Sequence, residues 1–244
     1  MPRNDTTLAS SIINILLPPA CPLCENDVCA AGSFFCGACY ADLCSTLLKS
    51  PNCTLCGVTF VSKASEDHMC SGCITAPPPY AMARSVFAYE GPVKEAIHLF
   101  KYSGRSTLGA PLGDFLRLVK DSFPSPPDRV MPVPLHKRKL RARGFNQSLL
   151  LAREVSGMFS APLVYDNLKR ARYTEQQVNL TRDQRAANVG GAFALKRPQE
   201  AEGRIVALVD DVYTTGATIK ECARVLKKAG AIVYSLTLAR AVKV

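Results

Sequence analysis

Two adjacent carboxylates, Asp210 and Asp211, stand at the end of the apolar run IVALV. After Val212 and Tyr213 comes TTGAT, from Thr214 to Thr218. At the exit of a buried strand the two acids repel each other and lose solvation, so a bound partner must offset the cost. Gly216 lets the backbone turn tightly, Thr214, Thr215 and Thr218 add hydroxyl donors, and the free amides of the helix opening near Ala217 point at one spot with its dipole behind them. Such a nest suits a phosphate. The acids need a different part of the same ligand, and a vicinal diol, whose hydroxyls donate to carboxylates, fits them. A sugar carrying a terminal phosphate satisfies both halves. The chain has no GxxxxGK[ST] and no GxGxxG, so neither the P-loop nor the dinucleotide fingerprint applies. A plain helix cap would explain one acid but not the pair with its Thr/Gly loop.

A second chemistry lies at the front. Ten of the eleven cysteines precede Pro77, and eight form CxxC pairs: Cys21 with Cys24, Cys36 with Cys39, Cys53 with Cys56, Cys70 with Cys73. Two residues between thiolates let a tight turn present both sulfurs to one tetrahedral ion, and two such turns close a structural zinc site of four thiolates. A redox CxxC would not come in four copies, and disulfides do not suit the cytoplasmic setting argued below. Sequential pairing, with loops of 11 and 13 residues inside the pairs, is favoured over interleaved pairing, although both use every ligand. Cys29, Cys44 and Cys222 read as small apolar residues, and His68 as a loop histidine.

The elements that would position these groups follow from hydropathy. RSVFAY, DRVMPVP, GRIVALVD and AIVYSLTLAR read as strands, while PVKEAIHLFKYS, TLGAPLGDFLRLVKDSF, NQSLLLAREVSGMF and ATIKECARVLKKAG read as helices. The alternation predicts an α/β parallel sheet with helices on both faces, its ligand at the carboxyl ends of the strands. The proline run of TAPPPYAM separates a zinc module over 21–76 from an α/β domain over 81–244, with a short leader helix over 1–20.

The chain of 244 residues is 48% apolar, enough for a core, and carries a net charge of +10. Up to Tyr80 acids outnumber Lys and Arg, so all of the positive excess lies beyond it. That favours an anionic ligand or partner, a phosphate-bearing small molecule or nucleic acid. No apolar stretch reaches the roughly 20 residues of a membrane span, and the start lacks the basic run and cleavage site of a signal peptide, so a cytoplasmic protein is expected.

VALVDDVYTTGAT resembles the phosphoribosyl pyrophosphate (PRPP) motif of type I phosphoribosyltransferases. With PVPLHKRKLRARGFNQS and the cysteine-paired front it resembles the ComF family of competence-associated phosphoribosyltransferase-like proteins, from about Pro18 to Arg240. The resemblance implies that Asp210 and Asp211 hold the ribose hydroxyls and that Thr214, Thr215, Gly216, Ala217 and Thr218, with Val212 in the motif, surround the 5′-phosphate. It implies magnesium carried by the diphosphate. Backbone near Val133, Pro134 and Leu135, with Lys137, Arg138 and Lys139, would receive the diphosphate. Arg170, Arg172, Arg182 and Arg185, in the place of the family's mobile loop, would clamp the charge that develops as pyrophosphate leaves. RGFNQ, from Arg143 to Gln147, is characteristic of the group, and its only legible role is to open a helix.

Two functions fit. One is transfer of the phosphoribosyl group in a protein of DNA uptake, resting on positioning and electrostatics without a protein nucleophile. The other is a non-catalytic PRPP binder that holds single-stranded DNA or a helicase partner with the zinc module and the cations between Arg129 and Arg185. The acids, phosphate loop and basic loop favour the first. The absence of extra residues that could form an acceptor hood favours the second.

Overall fold

The computed structural model describes residues 20–28, 34–60, 66–102, 104–172 and 189–242. The expected leader helix, Cys29, Arg182 and Arg185 lie outside them. Four strands form one wholly parallel sheet in the order β1-β6-β5-β2: β1 (Met82–Ala88), β2 (Arg129–Pro132), β5 (Ile205–Tyr213) and β6 (Ile232–Arg240). Val206 to Val209 are fully buried, as a strand covered on both faces requires. Alternate residues of β5 feed two cores, Ala207 and Val209 on one face, Val206 and Leu208 on the other.

Against the first face pack α3 (Gly91–Tyr102), α4 (Gly109–Asp114) and α6 (Gln147–Phe159), through Ile97 and Phe100, Leu112, and Leu151 and Val155. Against the second packs α7 (Ala217–Lys228), through Ile219, Ala223 and Leu226. Each such fully buried side chain contributes roughly 1.5–3 kcal/mol by leaving water. An antiparallel pair, β3 (Leu168–Arg170) with β4 (Phe193–Leu195), adds to the second face.

Three expectations need correction. The helix read from TLGAPLGDFLRLVKDSF is the short α4 between 3-10 turns at Ser106–Leu108 and Phe115–Ser122. Pro111 removes a donor there, and Gly109 and Gly113 are pressed against Leu150 and Glu154 of α6, where a Cβ would not fit. The strand read as GRIVALVD does not stop at Asp210: β5 continues to Tyr213 because β6 pairs with it as far as Arg240. The run after β2 is only partly a loop, since Lys137–Arg143 forms α5, capped by His136 Nδ1 accepting from the Arg138 amide at 3.2 Å.

The cysteine-rich segment is built onto this sheet. Its helices are α1 (Gly37–Ser45) and the single turn α2 (Ser71–Thr75). Cys21, Val28, Phe35 and Leu43 join the first core, while Cys53, Cys56 and Cys73 join the second. The two cysteine clusters therefore straddle the sheet. Amide hydrogens of Leu48 and Ala83 donate to Val86 and Leu55 carbonyls at 2.9 and 2.7 Å, and that of Ala88 to Thr46 at 2.8 Å, so the outer edge of β1 is covered.

Candidate functional site

The Sγ atoms of Cys21, Cys24, Cys36 and Cys39 lie within 4.8 Å of one another, as do those of Cys53, Cys56, Cys70 and Cys73. The CxxC turns thus gather sequentially. Sulfurs around tetrahedral zinc stand about 3.8 Å apart, and here Cys24–Cys36 and Cys56–Cys70 stand at 3.5 and 3.8 Å. Cys53 Sγ accepts from the amides of Cys56 and Cys70 at 3.5 and 3.3 Å. Burial opposes the Cys53 thiolate, but amides of Cys70, Cys56 and Leu55 outweigh it and bring the thiol down to about 6. Burial and the neighbouring sulfurs push Cys73 up, so the four cannot all ionise without a cation. The donor set fits structural zinc. His68 is no ligand: it stacks on Phe60 with ring centroids 4.0 Å apart.

At the carboxyl ends of the strands a cavity of about 210 Å³ collects the other motifs. Ser148 Oγ donates to Asp210 Oδ1 at 2.8 Å, and the Asp211 amide donates to the same oxygen at 2.9 Å. Burial, then the charge of Asp211, pushes the Asp210 carboxyl up to about 7. Asp211 is 8% exposed and pairs with Lys101 of α3, Nζ to Oδ2 3.0 Å. Burial would lower the Lys101 ammonium, but Asp211 outweighs it and holds the group above its ordinary value.

Of the residues singled out in the sequence, Val133, Pro134, Leu135, Lys139, Arg170, Asp210, Asp211, Val212, Thr214 and Thr218 line this cavity. Lys137 and Arg138 do not, because the helical repeat turns Lys139 and Arg143 inward and those two outward. Arg170 lies with its guanidinium over the Phe193 ring, 5.3 Å from the centroid. Arg172 instead donates to the Gly190 carbonyl at 2.8 Å, away from the cavity. Thr215, Gly216 and Ala217 complete the turn: Thr215 Oγ1 accepts from the Ala217 amide, and Gly216 has φ +74° with the Tyr213 phenol where a Cβ would project. That phenol shares a buried hydrogen bond of 2.8 Å with Tyr80, and Arg240 stacks on its ring while donating to the Cys56 carbonyl at 2.5 Å.

Lys101 and Tyr102 are site residues outside every sequence motif, and Arg143, Asn146, Gln147 and Ser148, within the run RGFNQS, line the site although the sequence gives them no role beyond opening a helix. RGFNQ has a structural account here. Gly144 ends α5 at φ +81°, Phe145 packs on Phe100, and Asn146 caps α6 by accepting from the Ser148 amide while its Nδ2 donates to the Val133 carbonyl. The run thus pins the loop after β2 to the helix that carries Ser148.

Comparison with known proteins finds two domain families along the chain. Residues 12–74 match the double zinc ribbon domain, and residues 146–242 match the phosphoribosyl transferase domain. The chain is 32% identical over 223 residues to the DNA utilization protein YhgH of Escherichia coli, covering 89% of this chain and 94% of that one. It is 30% identical over 216 residues to Competence protein F of Haemophilus influenzae, covering 86% and 91%. With Competence protein ComFC of Bacillus subtilis the identity is 33% over 160 residues, covering 64% and 63%. Among the described residues no helix is long and apolar enough to cross a membrane.

Proposed function

The chain belongs to the family of the DNA utilization protein YhgH and Competence protein F, and on that premise we propose that its cavity binds PRPP with magnesium in the service of DNA uptake. One observation carries this reading: two carboxylates, the start of α7 and four cations, Lys101, Lys139, Arg143 and Arg170, face a single cavity. Asp210 and Asp211 accept from the ribose hydroxyls, and Thr214 to Thr218 receive the 5′-phosphate at the start of α7. The cations hold the diphosphate. Transfer is displacement at C1: the lone pair of an acceptor nitrogen forms the new bond as the bond from C1 to the diphosphate oxygen breaks, the electron pair leaves with pyrophosphate and the nitrogen gives up its proton; magnesium on the diphosphate would offset part of its charge. Calorimetry of PRPP with magnesium, followed by pyrophosphate release over a panel of nitrogenous bases, tests it. Saturable binding with release supports transfer, and absence of PRPP binding overturns the reading.

A second reading, contact with single-stranded DNA, has its own observation. Helix α5 exposes Lys137, Arg138 and Arg141 on the side away from the cavity. Such a basic ridge suits a phosphate backbone.

A further inference from the structure

Gln147 is 1% exposed and lines the cavity, yet its Nε2 finds no acceptor among the described residues. Its other amide atom is engaged, because Arg143 Nη1 donates to Oε1 at 2.6 Å. A guanidinium only donates, so the amide cannot be turned over, and the NH2 is the end left without a partner in a side chain that lines the cavity. Few buried donors in native structures go unpaired, and one that lines a cavity calls for a ligand atom that accepts.

The surroundings say which atom. Arg143 stands one helical turn from Lys139, and both line the cavity together with Lys101 and Arg170. Burial, then the charges of Arg170, Arg143 and Lys101, hold the Lys139 ammonium below its ordinary value, a crowding that an anion relieves. Ser148, the next residue, already serves the carboxylate side through Asp210. We infer that Gln147 Nε2 donates to a diphosphate oxygen, so that the Arg143–Gln147 pair reads the leaving group; this rests on the PRPP reading above.

Titration calorimetry of the full chain with inorganic pyrophosphate, ribose 5-phosphate and PRPP, each with magnesium, tests it. Gln147→Met removes the donor at similar volume, and Gln147→Glu keeps the acceptor for Arg143 while putting charge in place of the donor. Pyrophosphate and PRPP should bind about tenfold more weakly to the Met variant and about thirtyfold more weakly to the Glu variant, with ribose 5-phosphate within about threefold of the parent. If the Met variant does not fold, the Glu variant decides alone. Pyrophosphate held equally by parent and variants overturns the role of Gln147 and leaves the PRPP reading standing. An equal loss for ribose 5-phosphate also overturns it, because Gln147 would then only shape α6. A parent chain that takes up none of the three overturns the PRPP reading and this inference together.

Discussion

Lys101 Nζ lies 3.0 Å from Asp211 Oδ2, so the last turn of α3 supplies the counter-charge for an acid of β5 across 110 residues of sequence. Both side chains are largely buried, and removing one partner strands the other. Lys101→Met should cost about 3 kcal/mol of stability at pH 8 and less at pH 5, where Asp210 holds a proton and adds no second negative charge. Urea unfolding at the two pH values measures the difference. Equal losses at both would mean that Lys101 contributes by packing alone.

Asp210 gives stability a slope with pH. Its carboxyl, raised to about 7 in the folded chain, keeps a proton that the unfolded chain releases near 3.8. The folded state therefore binds more protons between those values, and stability should fall as pH rises from about 4 to about 7, then level off. Asp210→Asn should flatten that slope and stabilise the protein at pH 8, while lowering PRPP affinity at least about tenfold through the lost hydrogen bond to the ribose. Denaturant curves from pH 4 to 8 and calorimetry at pH 8 report the two effects separately.

The zinc sites predict a stoichiometry and a consequence. Native mass spectrometry should find two ions per chain, and Cys53→Ser should lose one. Because Cys53, Cys56 and Cys73 belong to the same core as Ile219 and Leu226 of α7, the loss should also lower the unfolding temperature of the sheet domain. A variant with one ion and an unchanged melt would show that the second cluster folds independently.

What is legible in the sequence is what is local. The CxxC turns and VDDVYTTGAT carry their chemistry within a few residues, so the sulfur pairs, the acids and the Thr/Gly turn beside them can be read directly. The inner wall cannot, because Lys101, Arg143, Gln147 and Ser148 join Asp210 and Asp211 around one cavity only through the packing of α3, α5 and α6. A signal does exist. Gln147 and Ser148 continue the buried stripe of Leu151, Ala152 and Val155, and polar residues on an apolar stripe mark a place where a helix meets something other than core. The sequence groups Lys137, Arg138 and Lys139 together, and only the helical repeat divides the cations of KRKLRAR into inward Lys139 and Arg143 and outward Lys137, Arg138 and Arg141. The strand read as GRIVALVD ends at Asp210 on hydropathy alone, whereas pairing with β6 carries β5 on to Tyr213.

Gly216 should tolerate no side chain. Its φ of +74° is strained for any L residue, and the Tyr213 phenol fills the space a Cβ needs. Gly216→Ala should destabilise by about 1–3 kcal/mol and weaken ribose 5-phosphate binding, since the loop must move off the start of α7. Adding Tyr213→Leu should restore part of the stability by clearing the collision, leaving the cost of φ. Differential scanning fluorimetry of the single and double variants separates the two contributions.

Single-stranded DNA, if held on the outer side of α5, should respond to changes that PRPP ignores. Lys137→Glu with Arg141→Glu should weaken a labelled oligonucleotide at least about tenfold at low salt, and the parent's binding should fall steeply as salt rises. PRPP affinity should change less than about threefold, because neither residue lines the cavity. Fluorescence anisotropy at two salt concentrations gives the result, and displacement of the oligonucleotide by PRPP with magnesium would move the contact from the outer ridge to the cavity mouth.

The strand order also bears on how the chain is made. β6 is the last described strand to leave the ribosome, yet it sits between β1 and β5, and β1 has no other neighbour within the sheet. Synthesis from Ala88 to Arg240 takes on the order of 10–30 s at ordinary elongation rates. Throughout that interval one edge of β1 is open, and the other can already be closed by the ribbon segments at Thr46, Leu48 and Leu55. Metal loading of the nascent front segment would then act as a chaperone in cis, shielding a hydrophobic strand until its true partner arrives. Zinc starvation during translation should therefore raise the aggregated fraction more than chelation of the finished protein does.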